Sequence, residues 1–399
     1  MNLVYLDNNA TTKVDDAVIN AMIPYFGDSY GNPSSMYEFS RSASNALKYA
    51  REQMKNFYNA ENEKEIIFTS CGSESANLAI RGILNMNKNK RHIITTKVEH
   101  PCVLNLYKQL EKEGYKADYI GVNSNGELDL EELNEKIDSD TALVSVMYAN
   151  NETGVIFPIK RIVEIVKSKN HETKVFTDGV QAAGKIKIDV QDLGVDAMGV
   201  SGHKFHAPKG VGALYVNSKT LITPLIIGGH QERGKRAGTE NVPYIVGMGL
   251  AAEMAQNALE YENTEVKRLR DKLETNIIKK VYNARVNAGI NKRVPNTTNI
   301  GFEYIEGELI LLHLSDIGIC ASSGSACTSG SLEPSHVLRA LNVPFTSIHG
   351  SIRFSLSRFT KESEIDYVIE KLPPIIDKLC AISPYQEELN ALKIQKGQN

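Results

Sequence analysis

Several short stretches of this chain place reactive side chains where an apolar run ends. "AMGV" runs into "SGHKFHAPKG", delivering Lys204 with Ser201, Gly202 and His203 beside it; "KVFT" delivers Asp178, with Gln181 close behind. "HIITTKVE" delivers His100 ahead of Pro101, and "EIIFTS" opens into "CGSES". A lysine in a low-dielectric pocket has a lowered pKa, so part of its amine is free to form a Schiff base with a carbonyl. An aspartate at the end of a buried strand costs desolvation unless it meets a cation or hydrogen-bond donors. Asp178 serves equally well as a cap for the next helix. The Gly-Ser turn of "CGSES" offers backbone N–H groups and the positive end of a helix dipole, which suit a phosphate. No Walker lysine and no G-x-G-x-x-G accompanies it, which counts against a nucleotide. His100 alone reads as an ordinary loop residue. His203 and His206, at i and i+3, lack a matching cysteine or carboxylate nearby and do not read as a metal site.

Cys327 stands apart, in "ASSGSACTSGSLEPSHVLRA". A cysteine kept for packing behaves as a small buried hydrophobe, and this one has almost no apolar neighbours. A loop with so few anchors opens locally at low cost, so the composition predicts a thiol that travels. The thiolate is the nucleophile, and a free cysteine has a pKa of about 8.5, so a nearby proton acceptor is needed.

Together these parts converge on one cofactor. A phosphate-seeking helix start, a histidine able to stack on a ring, a buried aspartate, and a lysine among Ser and His are what pyridoxal 5'-phosphate requires. Such enzymes use a Schiff-base lysine and an acidic partner for the pyridinium nitrogen.

The elements that must position these residues follow from the pattern. Short β-rich runs recur from Glu65 ("EIIFTS", "HIITT", "ADYIGV", "TALVSVMYAN", "KVFTDGV", "AMGVSGHK", "GALYV"), with helical patterns such as "ESANLAIRGILNM" and "PIKRIVEIVKSK" between several of them. Strands alternating with helices predict an α/β domain with a mostly parallel sheet covered on both faces. Ligands in such sheets bind beyond the C-terminal strand ends. From about Ala251 the pattern changes to a long helix, with Val266, Leu269, Leu273 and Ile277 on one stripe. Scattered strands ("NTTNIGFEYI", "SIRFSLS") and helices near Gly307–Ser315 and Thr360–Leu372 follow, the last expected to break or kink at Pro373–Pro374. This reads as a smaller α+β domain joined by the N-terminal arm.

The totals agree. A chain of 399 residues, 42% hydrophobic and 23% charged, is expected to form a globular protein of two domains. A net charge of −3 gives no support for nucleic-acid or anionic-membrane binding. No secretory signal and no apolar run of roughly 18 residues is visible. The five scattered cysteines, without C-x-x-C, predict a reducing cytoplasm rather than a disulfide framework or closed zinc site.

The chain resembles the cysteine desulfurases of the NifS/IscS group, nearest to the nitrogen-fixation type, within the class V aminotransferase-like, fold type I pyridoxal phosphate enzymes. The resemblance rests on "YLDNNATT", "GNPSS", "FTSCGSESAN", "VEHP", "ANNETG", "DGVQAAGK", "SGHKFHAPKGVG", "GGHQERGKRAGTEN", "SSGSACTSGSLEPSHVLRA" and "SIRFSLSRFT", in order over nearly the whole chain. It implies a large domain over 14–255 with a mostly parallel seven-stranded sheet. It also implies a small domain of 1–13 with 256–399, carrying a mobile cysteine loop at about 321–332. Lys204 is implied as the Schiff-base lysine and His100 as the ring-stacking proton carrier. Asp178 is implied at the pyridinium nitrogen, and Gln181 and Asn151 at the ring. Gly72, Ser73, Ser201 and His203 are implied to hold the phosphate, joined by Thr239 from the partner subunit of a homodimer. Arg353 is implied as the bidentate clamp on the substrate carboxylate. Cys327 is implied as the sulfur acceptor, and as a metal or cluster ligand only during transfer.

The implied reaction turns L-cysteine into L-alanine. A persulfide forms on Cys327 and is passed to a NifU-like or IscU-like scaffold for iron–sulfur cluster assembly, nitrogenase clusters included. One departure is Gly179 in "DGVQ", where family members often carry Ala; loss of one methyl is expected to be tolerated. Rival readings are a selenocysteine lyase or aminotransferase on the same cofactor, a thiol hydrolase built from Cys327 with His336 or His349, and a colourless non-catalytic scaffold. Transamination has no need of a thiol, and no nucleophile-elbow pattern surrounds Cys327.

Overall fold

A computed structural model describes residues 3–289, 292–323 and 334–396 of the chain. After a two-residue strand, β1 (Val4–Tyr5), come β2 (Ile66–Thr69), β3 (His92–Thr96), β4 (Lys116–Ile120), β5 (Thr141–Ser145), β6 (Lys174–Asp178), β7 (Ala197–Ser201) and β8 (Gly212–Val216). These build a seven-stranded sheet in the order β2-β8-β7-β6-β5-β3-β4. Pairing is parallel except that β8 runs antiparallel to both β2 and β7. β2 and β7 therefore run the same way, and the C-terminal ends of β2, β3, β5, β6 and β7 share one edge.

The apolar runs become strands because helices cover both faces of the sheet. Every residue of β2, β3, β5, β7 and β8 is buried. Helices Gly72–Met86 and Pro101–Lys112 pack one face through Leu78, Ile83, Val103 and Tyr107, while Arg41–Tyr58, Ile159–Lys169 and Val242–Asn257 pack the other. Helix Ile159–Lys169 buries Ile159, Ile162, Val163 and Val166, the stripe its spacing dictates. Each such side chain contributes about 1.5–3 kcal/mol relative to exposure.

A second sheet, β12-β13-β10-β9, is antiparallel: β9 (Ala284–Val286), β10 (Thr297–Phe302), β12 (Ser322–Ser323) and β13 (Ser351–Ser355). The short β11 (Ile319–Cys320) pairs with β1 in parallel. Val4 and Leu6 of the N-terminal arm share a core with Leu273, Ile277, Phe302, Phe354 and Leu372. The arm thus packs with the C-terminal part of the chain.

Two helical expectations need correction. Past Ala251 the single long helix is instead Val242–Asn257, Leu259–Tyr261, a π turn at Glu262–Val266, and Lys267–Lys280. Val266, Leu269, Leu273 and Ile277 are all buried, as their spacing required. The expected break at Pro373–Pro374 does not occur, and Glu362–Ile382 runs through both prolines. A proline leaves the carbonyl four residues back without its donor. Here Lys280 Nζ supplies one, at 3.4 Å from the Ile369 carbonyl, and Leu372, Ile376 and Leu379 keep the helix on the core.

Candidate active site

The strand ends at that shared edge surround a cavity of about 230 Å³. Lys204, Gly72, Ser73, His100, Asn151, Asp178, Gln181, Ser201 and His203 all line it. Cys71, Cys102, Met147, Ala149 and Val180 complete the wall.

Lys204 follows β7 in a one-turn 3-10 helix, Gly202–Lys204, and its Nζ donates to the carbonyls of Asn9 (2.6 Å) and Ala10 (2.8 Å). Burial is the main force bringing its amine down to about 8, with the positive charges of Arg353 and Lys185 adding to it and Asp178 and Asp7 opposing. Asp178 is the last residue of β6, and its Oδ1 accepts from the Val180 N–H at 2.9 Å. Burial pushes its carboxyl up from the ordinary carboxylate value, while His100 and Lys204 pull it back. His100 caps helix Pro101–Lys112, and its Nδ1 accepts from the Cys102 N–H at 3.2 Å. That bond leaves the proton of the neutral ring on Nε2. Burial holds the imidazole below its usual value, against the pull of Asp178. The neutral ring therefore donates through Nε2, and it takes up a proton at Nδ1 only by giving up the Cys102 N–H bond.

The phosphate end is built on the first turn of helix Gly72–Met86, whose N-cap is Cys71, with Sγ accepting from the Glu74 N–H. A Cβ at Gly72 would lie 2.9 Å from Val180 Cγ2, so only glycine lets the backbone sit this close to the cavity wall. Ser201 lies at the end of β7, and His203 Nδ1 is 3.1 Å from Thr11 Oγ1. Burial, with the charges of Lys204 and Lys209, takes the His203 ring down to about 4, so it presents a neutral nitrogen. At the ring end, Gln181 Nε2 donates to the Asn9 carbonyl at 3.1 Å, and Gln181 Oε1 is buried without a partner. This set fits pyridoxal 5'-phosphate: an amine for the aldehyde, a carboxyl for the ring nitrogen, an orphaned acceptor for the ring hydroxyl, and a helix start for the phosphate.

Two predicted residues lie off this wall. Thr239 lines a separate cavity of about 210 Å³ with Ser70 and Arg236 and does not reach the first one within its own chain. Arg353, in β13, donates through Nη1 to the Asn151 carbonyl (3.0 Å) and through Nη2 to Asp7 Oδ1 (2.7 Å). It thus stands one residue behind the cavity wall. Cys327 lies outside the described residues, as does most of the stretch around it. Its C-terminal flank is described. Ser335 Oγ donates to Glu152 Oε2 at 2.5 Å, and His336 Nε2 lies 2.9 Å from the carbonyl of Glu99, the residue before His100. His336 is thereby engaged with that carbonyl, and His349 lies edge-on to Phe345. Among the described residues no group of three or more His, Cys, Asp or Glu is placed to hold a metal.

The sequence reading assigned no role to Asp7, Asn9, Ala10 and Thr11, which reach Arg353, Lys204, Gln181 and His203 from the N-terminal arm. The polar run "DNNATT" in an otherwise apolar arm is the signal for them. Nothing local singles out Cys71 or Cys102.

The class-V aminotransferase family model matches residues 4–368. A cysteine desulfurase of Nostoc sp. is 56% identical over 388 residues, covering 97% of this chain and 96% of that protein. The cysteine desulfurase NifS of Azotobacter vinelandii is 52% identical, covering 96% and 94%. A solved structure described as a NifS-like protein superposes with a TM-score of 0.89 at 40% identity, covering 95% of this chain and 100% of its own. No helix among the described residues is long and apolar enough to cross a membrane.

Proposed function

Since the chain belongs to the class-V aminotransferases, among their cysteine desulfurases, we propose that the cavity residues, with Arg353 and Cys327, carry out its reaction. The protein is a pyridoxal phosphate-dependent cysteine desulfurase, acting on L-cysteine and passing the sulfur to scaffold proteins for iron–sulfur cluster assembly. When bound, the cofactor supplies an electron sink for the substrate α-carbon.

The chain's own residues do the rest. Lys204 would hold the cofactor's aldehyde through its Nζ, and its amine, once free, would carry the substrate α-proton. His100, on the cavity wall, would stack on the cofactor's ring and help move protons to and from the reacting thiol. Asp178, at the end of β6, would keep the ring nitrogen protonated. Gln181 would meet the ring hydroxyl and Asn151 would also reach the ring; Gly72, Ser73, Ser201 and His203 would hold the phosphate. Arg353 binds the substrate carboxylate. Cys327 Sγ, as thiolate, attacks the substrate sulfur: an S–S bond forms and the C–S bond breaks. Its electron pair stays with carbon, which is later protonated to give L-alanine.

The observation that carries this reading is the convergence of five strand ends on one cavity lined by the Lys204 amine and the Asp178 carboxyl. Thr239, absent from its own chain's cavity, supports a homodimer in which it completes the partner's phosphate seat. The resemblance to the nitrogen-fixation type supports a NifU-like acceptor over an IscU-like one, in the cytoplasm, with Cys327 meeting iron only during transfer.

The test uses the loaded enzyme. Lys204→Ala abolishes the cofactor's Schiff-base absorbance. Cys327→Ala keeps that colour and binds cysteine but releases no sulfide. Full turnover in Cys327→Ala removes that thiol from the reaction. Labelled sulfur followed from cysteine to each scaffold type identifies the acceptor.

A further inference from the structure

We propose that Lys185 is a positioning residue for Lys204: it fixes the main chain from which the Lys204 amine springs and sets a second positive charge behind that amine. The inference rests on Lys204 being the lysine that holds the cofactor.

Lys185 is 5% exposed, and its Nζ donates to the Lys204 carbonyl at 2.9 Å and more weakly to that of Ala183 at 3.4 Å. Its own carbonyl accepts from Asn263 Nδ2 at 2.9 Å. Glu262 beside it is 4% exposed, with Oε2 buried and without a hydrogen-bond partner. Glu262 and Asn263 both come from the π turn Glu262–Val266, the one described interruption of this kind in the helical run past Val242. π turns are rare and concentrate at functional sites, because the extra residue re-aims side chains that an α-helix would point elsewhere. A cavity of about 10 Å³, room for one water molecule, is lined by Lys185, Lys204, Glu262, His206 and Arg358.

The other charges are accounted for. Arg358 is paired with Asp15 at 3.0 Å, and His206 Nδ1 faces the Lys13 carbonyl. Glu262 and Arg358 face Lys185. Arg353, Asp178 and Asp7 also act on Lys204, with His100 and His203 beside it. A lysine in the interior is expensive unless paired, and a neutral glutamine also carries an N–H donor. Burial lowers the Lys185 amine to about 8, against the pull of Glu262, and below that pH its charge repels the protonated form of the Lys204 amine.

The test compares Lys185→Gln, which keeps a donor but loses the charge, with Lys185→Met, which loses both, and Lys185→Arg, which keeps both. In the loaded enzymes, the pH midpoint of the cofactor's visible band rises by about one unit in the Gln and Met variants, the scale of one neighbouring charge. Lys185→Arg restores it. In the cofactor-free chain, amine labelling of Lys204 read by mass spectrometry shifts the same way. Thermal melting shows whether Lys185→Met folds, and Lys185→Gln carries the test if it does not. A lysine that only supports the fold lowers the melting temperature and leaves the midpoint where it was, which overturns the inference. Borohydride reduction and peptide mapping separate the two levels. Cofactor found on another lysine overturns the assignment of Lys204 itself, whereas cofactor on Lys204 with an unmoved midpoint overturns only the role of Lys185.

Discussion

Arg353 and Asp7 form a largely buried ion pair, Nη2 to Oδ1 at 2.7 Å, with the two side chains 8% and 21% exposed. Nη1 is held by the Asn151 carbonyl, and Nε is buried without a partner. The guanidinium assigned to the substrate carboxylate therefore already faces an internal carboxylate. Asp7→Asn keeps an acceptor for Nη2 and removes that competing charge. We expect KM for L-cysteine to fall roughly fivefold, about 1 kcal/mol, with kcat little changed. Arg353→Lys, which loses the planar fork, raises KM by about tenfold or more while the cofactor's colour persists. Steady-state kinetics on both variants check this, and a higher KM in Asp7→Asn would show that Asp7 aims the arginine more than it competes.

The Lys204 amine, brought from 10.5 to about 8 chiefly by burial, sets a pH dependence for cofactor capture. Only the free amine attacks an aldehyde. At pH 7 about a tenth of it is free, a few hundred-fold more than for an unperturbed lysine. Capture by the cofactor-free chain should rise about tenfold per pH unit up to about 8 and level off above it. Stopped-flow absorbance gives the profile; a rise continuing to pH 10 contradicts a depressed amine.

What the sequence made legible, and what it hid, divides along a physical line. Lys204 and Asp178 could be read because each sits where an apolar run stops, and strand ends of a parallel sheet share one edge; His100, an ordinary loop residue on its own, gains meaning only beside them. Lys185 with Glu262, and Arg353 with Asp7, could not. Their partners lie far away in sequence, and each lone residue resembles a solvated surface charge. The continuation of helix Glu362–Ile382 through Pro373–Pro374 is hidden for the same reason: the donor that serves the Ile369 carbonyl is Lys280, on another helix. Cys327 was legible by composition alone, and its surroundings lie outside the described residues.

Gly179, beside Asp178, shows how a family substitution is absorbed. A Cβ there would lie 3.0 Å from both Cγ and Sδ of Met198 and 3.3 Å from the Gly199 carbonyl. The Gly179 N–H is tied to that same carbonyl at 2.9 Å, so the backbone cannot retreat. Met198, fully buried in β7, occupies the space an alanine would need. Gly179→Ala should cost about 1–2 kcal/mol through overpacking. Combined with Met198→Val it should cost less than the two single changes summed. Denaturant unfolding of the four proteins measures the coupling, and strict additivity refutes the contact.

Glu99 makes the stability of the fold depend on pH. Its Oε1 accepts from Thr96 Oγ1 (3.0 Å) and the Met147 N–H (2.8 Å), while Oε2 is buried without a partner. Burial, reinforced by the charge of Asp178 and opposed by the Met147 and Thr96 bonds, raises its carboxyl from 4.5 to about 8. The folded chain therefore holds this proton across a range where the unfolded chain has released it. Stability from this group is fully present below about pH 4.5 and is lost as pH rises towards 8. Glu152, raised to about 7 by burial, adds a decline of the same sign. Glu99→Gln keeps Oε1 for Met147 and cannot titrate. Its denaturation midpoint should fall less steeply between pH 5 and 8 than that of the parent, with the two curves diverging as pH rises. Parallel curves would mean that Glu99 is ionised in the fold and that some cation near Asp178 neutralises it.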